Sequence, residues 1–122
     1  MKEVLLDSSF ILTCVRQKID FFEEIKLMGL QIIIPKQVIT EIAKLAKSNK
    51  SEARADAELA LKIIEKNKFR TIGLDGNSVD AGIIQKARAN EYLIIATLDR
   101  RIKSLIHNHK LVIRGQKGLE II

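Results

Sequence analysis

The stretch Glu3-Val4-Leu5-Leu6-Asp7-Ser8-Ser9 decides how the chain is read. Three apolar residues in a row end on an acid, and a short helical stretch from Ser8 to about Val15 follows. A compact apolar run without alternation is what a strand buried on both faces requires. The same succession recurs at Leu93-Ile94-Ile95-Ala96-Thr97-Leu98-Asp99, where another apolar run gives way to an acid and then to a helix over about 100–106. Acids placed directly after buried strands are the first sign of a site, because in parallel α/β sheets the loops at the carboxyl ends of the strands form the ligand crevice.

Outward from these two segments the pattern repeats. Strands are expected at 3–7, 31–34, 69–72, 92–96 and 111–114, separated by helical periodicity. Asp20 with Glu23 reads as a capping box that opens a helix through Phe21, Phe22, Ile25 and Met28, and Gly29 ends it. Pro35 fits the first position of a helix whose buried stripe is Val38, Ile42 and Leu45. After the polar break Lys47-Ser48-Asn49-Lys50, a helix from Ser51 to Lys66 turns Ala53, Ala57, Ala60, Leu61 and Ile64 to one face. A helix over about 78–89 puts Val79, Ile83, Ile84 and Ala87 inward. The closing run Leu119-Glu120-Ile121-Ile122 suits a sheet edge. The alternation predicts βαβ units and a buried parallel sheet of five strands between two helical layers, in one domain spanning 1–122.

Composition agrees with one globular domain: 122 residues are 47% hydrophobic and 30% charged. No apolar run is long enough to span a bilayer, and Asp7 interrupts the N-terminal run too soon for a signal peptide, so a cytoplasmic protein without a membrane partner is expected. Cys14 is the only cysteine, which excludes an internal disulfide and a cysteine zinc site; it reads as a packing residue. The net charge of +6 favours a polyanionic partner such as nucleic acid. With only 4% aromatic residues, a base-stacking platform is not expected. There is no glycine-rich phosphate loop, and His107 and His109 lack a third nitrogen or sulfur ligand and read as surface residues.

Four acids carry the chemistry. Asp7, Glu41, Asp80 and Asp99 follow four consecutive predicted strands, one to each strand end or succeeding helix. Asp7 and Asp99 have a ready structural explanation as helix N-caps, and Asp80 as a first-turn acid favoured by the helix dipole. Asp80 nevertheless shares a stripe with Ile83, Ile84 and Ala87. Glu41 is harder to explain, since it lies beside Val38, Ile42 and Leu45 beyond the first turn, where only an ion pair to Lys36 or Lys44 would offset its burial. Carboxylates gathered at one end of a sheet repel one another unless a cation neutralises them, and hard oxygen ligands suit Mg²⁺ or Mn²⁺.

At these residues the chain resembles a PIN domain, a metal-dependent ribonuclease family. The matching segments are Leu5 to Ser9, Pro35 to Ile42, Ser78 to Ile84, and Ile95 to Arg100, and the resemblance extends over essentially the whole chain. It looks closest to archaeal PIN proteins similar to the PIN nuclease of small-subunit ribosome assembly. The grounds are the helix at Phe21-Phe22-Glu23-Glu24-Ile25, the alanine-rich helix near Leu59-Ala60-Leu61, and Ile113-Arg114-Gly115-Gln116-Lys117. The resemblance implies strand order 3-2-1-4-5 and hydrolysis of RNA phosphodiesters, with rRNA processing as a role. It further implies Mg²⁺ or Mn²⁺ held by Asp7, Glu41, Asp80 and Asp99, and pairing with a second copy. Ser8 and Thr97 are the candidates to orient carboxylates, and Lys36, Arg100 and Arg101 to hold the RNA backbone. Two departures stand out. The family often has Asp-Thr-Asn where this chain has Asp7-Ser8-Ser9, and many members carry a further acid where Arg100 and Arg101 stand. The alternatives are a catalytically weak RNA-binding assembly protein on the same fold and a ribonuclease toxin of a toxin–antitoxin pair. A phosphoacceptor signalling domain ranks last, since Phe69-Arg70-Thr71-Ile72 supplies no acid.

Overall fold

A computed structural model describes residues 2–122, at Ser51 the backbone only. The element order is β1 (Glu3–Leu6), α1 (Ser8–Arg16), α2 (Phe21–Leu27), β2 (Gln31–Ile33), α3 (Lys36–Leu45), α4 (Ser51–Glu65), α5 (Val79–Ala89), β3 (Ile94–Ala96), α6 (Arg100–Leu105), β4 (Leu111–Arg114) and β5 (Gly118–Ile121). β1 lies between β2 and β3, parallel to both, with Leu5 opposite Ile33 on one side and Ile95 on the other.

The period of the strands sorts their side chains into two cores. Val4, Leu6, Ile32, Ile34, Ile94 and Ala96 face α1 to α4, meeting Phe10, Ile11, Val38, Ile42, Ala57 and Ala60. Leu5, Ile33 and Ile95 face the opposite way and meet Ile83, Ile84 and Ala87 of α5 and Ile102 of α6. Apolar side chains on both faces explain why these strands show no alternation in the sequence, and three layers follow directly. Among the described residues, no helix is long and apolar enough to cross a membrane.

The expected five-stranded parallel sheet is not formed. The central sheet has three strands, and β4 and β5 make a separate antiparallel pair. The segments foreseen as outer strands do run beside the sheet, but each pairs with it at one residue bridge rather than along a ladder, Arg70 to Ile33 and Lys110 to Ile95. On the first side the Arg70 N–H donates to the Ile32 carbonyl at 2.8 Å, and the Ile34 and Lys36 N–H groups donate to the Arg70 and Ile72 carbonyls at 2.9 Å each, where the chain turns into α3. On the second side the chain just before β4 meets β3, the Ile95 N–H donating to the His109 carbonyl at 3.0 Å, while β4 itself pairs with β5, three residues away around a turn with Gly115 at φ 60°. Local pairing of this kind closes a far smaller loop than a return to β3.

Other expectations shift by a residue. Asp20 caps α2, accepting from the Glu23 N–H at 3.2 Å, and Gly29 ends it at φ 75°. Pro35 occupies the N-cap of α3 rather than its first helical position. The segment before α5 is held by α3 on one side and approached closely by α5 on the other. The Gln37 amide pairs with both backbone groups of Leu74, at 3.0 Å each way. Gly82 lets the helix approach so closely that an added Cβ would lie 2.7 Å from Leu74 Cβ and 2.8 Å from the Asp75 carbonyl oxygen. Gly82→Ala is therefore expected to destabilise the fold by about 1–3 kcal/mol through overpacking, read as a lower urea midpoint at unchanged slope.

Candidate functional site

Asp7 stands at the end of the central strand and is 5% exposed. Its N–H still belongs to the sheet, donating to the Ala96 carbonyl at 2.9 Å. Its carboxylate caps α1: Oδ1 accepts from the Ser8 N–H at 2.8 Å. Oδ2 accepts from the Thr97 hydroxyl at 2.7 Å and the Ser9 hydroxyl at 3.2 Å. Three neutral donors thus surround a carboxylate that has no cationic partner among the described residues. Burial pushes its pKa up, the three hydrogen bonds oppose that, and the charge of Asp80 adds to the rise.

Glu41 lies on α3, half-buried, where α3 packs across α1. Its Oε1 accepts from the Ser8 hydroxyl at 3.1 Å. The neighbouring serines of one helical turn therefore serve different acids: Ser8 holds Glu41 and Ser9 holds Asp7. Desolvation raises the Glu41 pKa. The Ser8 hydrogen bond lowers it, the charges of Asp7 and Asp80 raise it again, and Lys44 lowers it slightly. Asp7, Glu41 and Asp80 are thus close enough to feel one another's charge. Among the described residues, none of the four acids forms an ion pair, so neither Lys36 nor Lys44 rescues Glu41.

Asp80 sits in the first turn of α5, whose cap is Ser78, its hydroxyl accepting from the Ala81 N–H at 3.1 Å. Asp99 joins the site differently. Its Oδ1 caps α6, accepting from the N–H groups of Arg101 at 2.8 Å and Ile102 at 3.2 Å. Its own N–H donates to the Thr97 hydroxyl at 3.1 Å, so Thr97 links Asp7 to the Asp99 backbone. Lys36, Arg100 and Arg101 are exposed, and their side chains form no ion pair among the described residues.

The four acids are not drawn into a tight cage. Among the described residues, no group of three or more His, Cys, Asp or Glu side chains is close enough to enclose an ion. The donor chemistry nonetheless fits a hard divalent cation, because Mg²⁺ keeps several waters and commonly binds through one or two carboxylates plus substrate phosphate. A concavity of about 1370 Å³ between α2, β2 and the end of α4 contains none of the four acids. Ser9 was not among the residues singled out from the sequence. Its position two residues after a capping aspartate is its one sequence signal.

A family model for the PIN like domain matches residues 4–116. The chain belongs to the PIN domain family of nucleases. A relative from Methanocaldococcus jannaschii named ribonuclease VapC4 is 24% identical over 127 residues, covering 99% of this chain and 97% of the relative. The solved PIN domain endonuclease Utp24 superposes with a TM-score of 0.77 at 25% identity, covering 98% of this chain and 90% of that one. A Pyrobaculum aerophilum protein, PAE2754, shares the fold with a TM-score of 0.60 at 15% identity, over 88% of this chain and 87% of that one.

The raised carboxylates of this PIN domain carry a pH signature. A carboxyl whose folded pKa exceeds its unfolded value favours folding while protonated, and that contribution is lost as pH rises through the folded pKa. Metal-free protein is therefore expected to lose stability from Asp7 and Glu41 as pH rises above the ordinary carboxylate range, about 4. Glu41→Gln keeps an acceptor for Ser8 and removes the charge. In chelator at neutral pH it is expected to melt a few degrees above wild type, with the gap closing toward pH 4; an unchanged gap across that range would contradict the electrostatic account.

Proposed function

We propose that this PIN domain is a metal-dependent endoribonuclease, with Mg²⁺ or Mn²⁺ bound by Asp7, Glu41, Asp80 and Asp99. The observation that carries the reading is the buried Asp7 carboxylate at the end of the central strand, with Glu41 joined to the same helical turn through Ser8 and, among the described residues, no ion pair to either. Unpaired carboxylates at the carboxyl end of a parallel sheet are costly unless a cation or a proton joins them. The bound ion supplies an activated water and offsets the charge that builds on the phosphate.

The chain's own residues do the rest. Ser8 and Thr97 orient Glu41 and Asp7, so the carboxylate lone pairs need no rearrangement when substrate arrives. Lys36, Arg100 and Arg101 border the acids with unpaired cationic groups and hold the sugar–phosphate backbone, which such a negative site would otherwise repel. An open, exposed border suits a polymer better than an enclosed pocket. RNA is the substrate class this reading assigns, with a precursor of ribosomal RNA as the finer choice. A cytoplasmic location and pairing of two copies belong to the same reading.

Wild type is expected to cleave single-stranded RNA with Mn²⁺ and to stop in chelator. Asp7→Asn should lower the rate about 100-fold or more, at least the upper end of the cost of losing an outer partner of a metal ligand. No cleavage by wild type, or equal cleavage by the variant, contradicts the proposal.

One observation favours a second reading, an RNA-binding protein with little turnover. Arg100 and Arg101 stand where many PIN domains have a further acid, and the Asp99 carboxylate already caps α6. Salt-sensitive RNA binding that survives Asp99→Asn, without turnover by wild type, selects this reading. Under either one, replacing both arginines by alanine should weaken binding and flatten the salt slope by up to about 1.4, from about 0.7 per lost phosphate contact on a single strand. A filter-binding titration at several salt concentrations measures it.

A further inference from the structure

Ser9 has a bonding pattern that helix formation does not require. Its hydroxyl donates to Asp7 Oδ2 at 3.2 Å and accepts from the Leu98 N–H at 3.1 Å, and it lies 3.4 Å from the Thr97 hydroxyl. Thr97 makes the matching pair of contacts, donating to Asp7 Oδ2 at 2.7 Å and accepting from the Asp99 N–H at 3.1 Å. Two hydroxyls therefore converge on one carboxylate oxygen, and each also holds one of the consecutive backbone N–H groups of the 98–99 segment. That segment carries Asp99 into α6.

We propose that Ser9 is a positioning residue that couples Asp7 to the Asp99 segment, setting the separation of the two acids and so the affinity of the site for its ion. The inference rests on the metal-dependent reading given above. Its chemistry is that of an outer partner of a carboxylate ligand. With Oδ2 engaged by two donors, the carboxylate plane cannot rotate freely, and the remaining lone pairs point in fixed directions. Thr97 alone would restrain Oδ2 at a single point. Ser9 adds the second point and ties it to the chain that brings the last acid.

A structural role is separable from this one. The α1 cap is made by Asp7 and the Ser8 N–H, neither of which involves the Ser9 side chain. Leu98 is an exposed residue, so its N–H can turn to water when the serine hydroxyl is removed. Ser9→Ala is thus expected to keep its fold, melting below wild type by no more than the loss of one of the three hydrogen bonds to Asp7 entails, while its site loosens.

The test is calorimetric titration of Mn²⁺ into metal-free wild type, Ser9→Ala and Ser9→Thr, each well below its melting midpoint, beside RNA cleavage by the same three proteins. Ser9→Ala is expected to bind Mn²⁺ about 10-fold or more weakly, the scale of losing an outer-shell partner. Its cleavage rate at subsaturating Mn²⁺ should fall in parallel and recover substantially at saturating Mn²⁺. Ser9→Thr, which restores the hydroxyl, should recover most of the affinity. If wild type binds and cleaves while Ser9→Ala binds with unchanged affinity, the Ser9 assignment is overturned and the nuclease reading stands. Failure of Ser9→Thr to recover affinity also counts against it, since shape rather than the hydroxyl would then matter. If wild type neither binds Mn²⁺ nor cleaves, both fall together.

Discussion

The arrangement depends on one buried anion. Asp7 ends the central strand with almost no exposure and, among the described residues, no cation paired with it, so its charge is held by neutral donors: the Ser8 N–H and the Ser9 and Thr97 hydroxyls. A buried carboxylate without such donors would cost several kcal/mol. Two donors come from α1, which follows β1, and the third from the loop after β3. They meet only if β1 and β3 are paired in the register that sets Leu6 opposite Ala96. The sheet's alignment and the site's geometry are therefore one constraint.

The same constraint explains how distant acids communicate. α1 begins at Asp7 and presents Ser8 to α3, which brings Glu41 within a hydrogen bond of it. The Gln37 amide ties the 74–75 segment to α3, and the bare backbone of Gly82 lets α5 sit close on that segment, with Asp80 where its charge is felt by both other acids. Asp99 enters through Thr97 and the cap of α6 instead. Three acids thus form an electrostatic group, with the fourth hinged to it by hydroxyls. The surface beyond is basic and unpaired at Lys36, Arg100 and Arg101. A negative centre with a positive border is the charge pattern on which the proposed RNA-binding role rests.

The layering was legible because burial on both faces leaves a plain mark. Leu5 and Ile95 face one helical layer while Val4, Leu6, Ile94 and Ala96 face the other, so each strand reads as an unbroken apolar run. Helix limits were legible from Asp20, Gly29 and the break at 47–50, since capping and left-handed backbone are local properties. The outer strands misled for the opposite reason. Phe69 to Ile72 and Leu111 to Arg114 have strand-like composition, but a ladder needs a partner with free backbone groups, and composition carries no record of the partner. One segment meets β2 only where the chain is turning into α3, and the other pairs with the nearby β5.

Sequence alone settled the residue types at the strand ends and the two-sided burial of the central strands, because those follow from local pattern, and the resemblance of its segments pointed to the family that the family model shows. It also placed Asp7, Glu41, Asp80 and Asp99 after successive strand segments. Tertiary structure alone decided which hydroxyl serves which acid, that Ser9 and Thr97 share one oxygen, and that the sheet stops at three strands. Hydrogen bonds between residues such as Ser9 and Leu98 depend on chain segments far apart in sequence arriving within about 3 Å of each other. No periodicity encodes such a distance; only packing of the layers produces it.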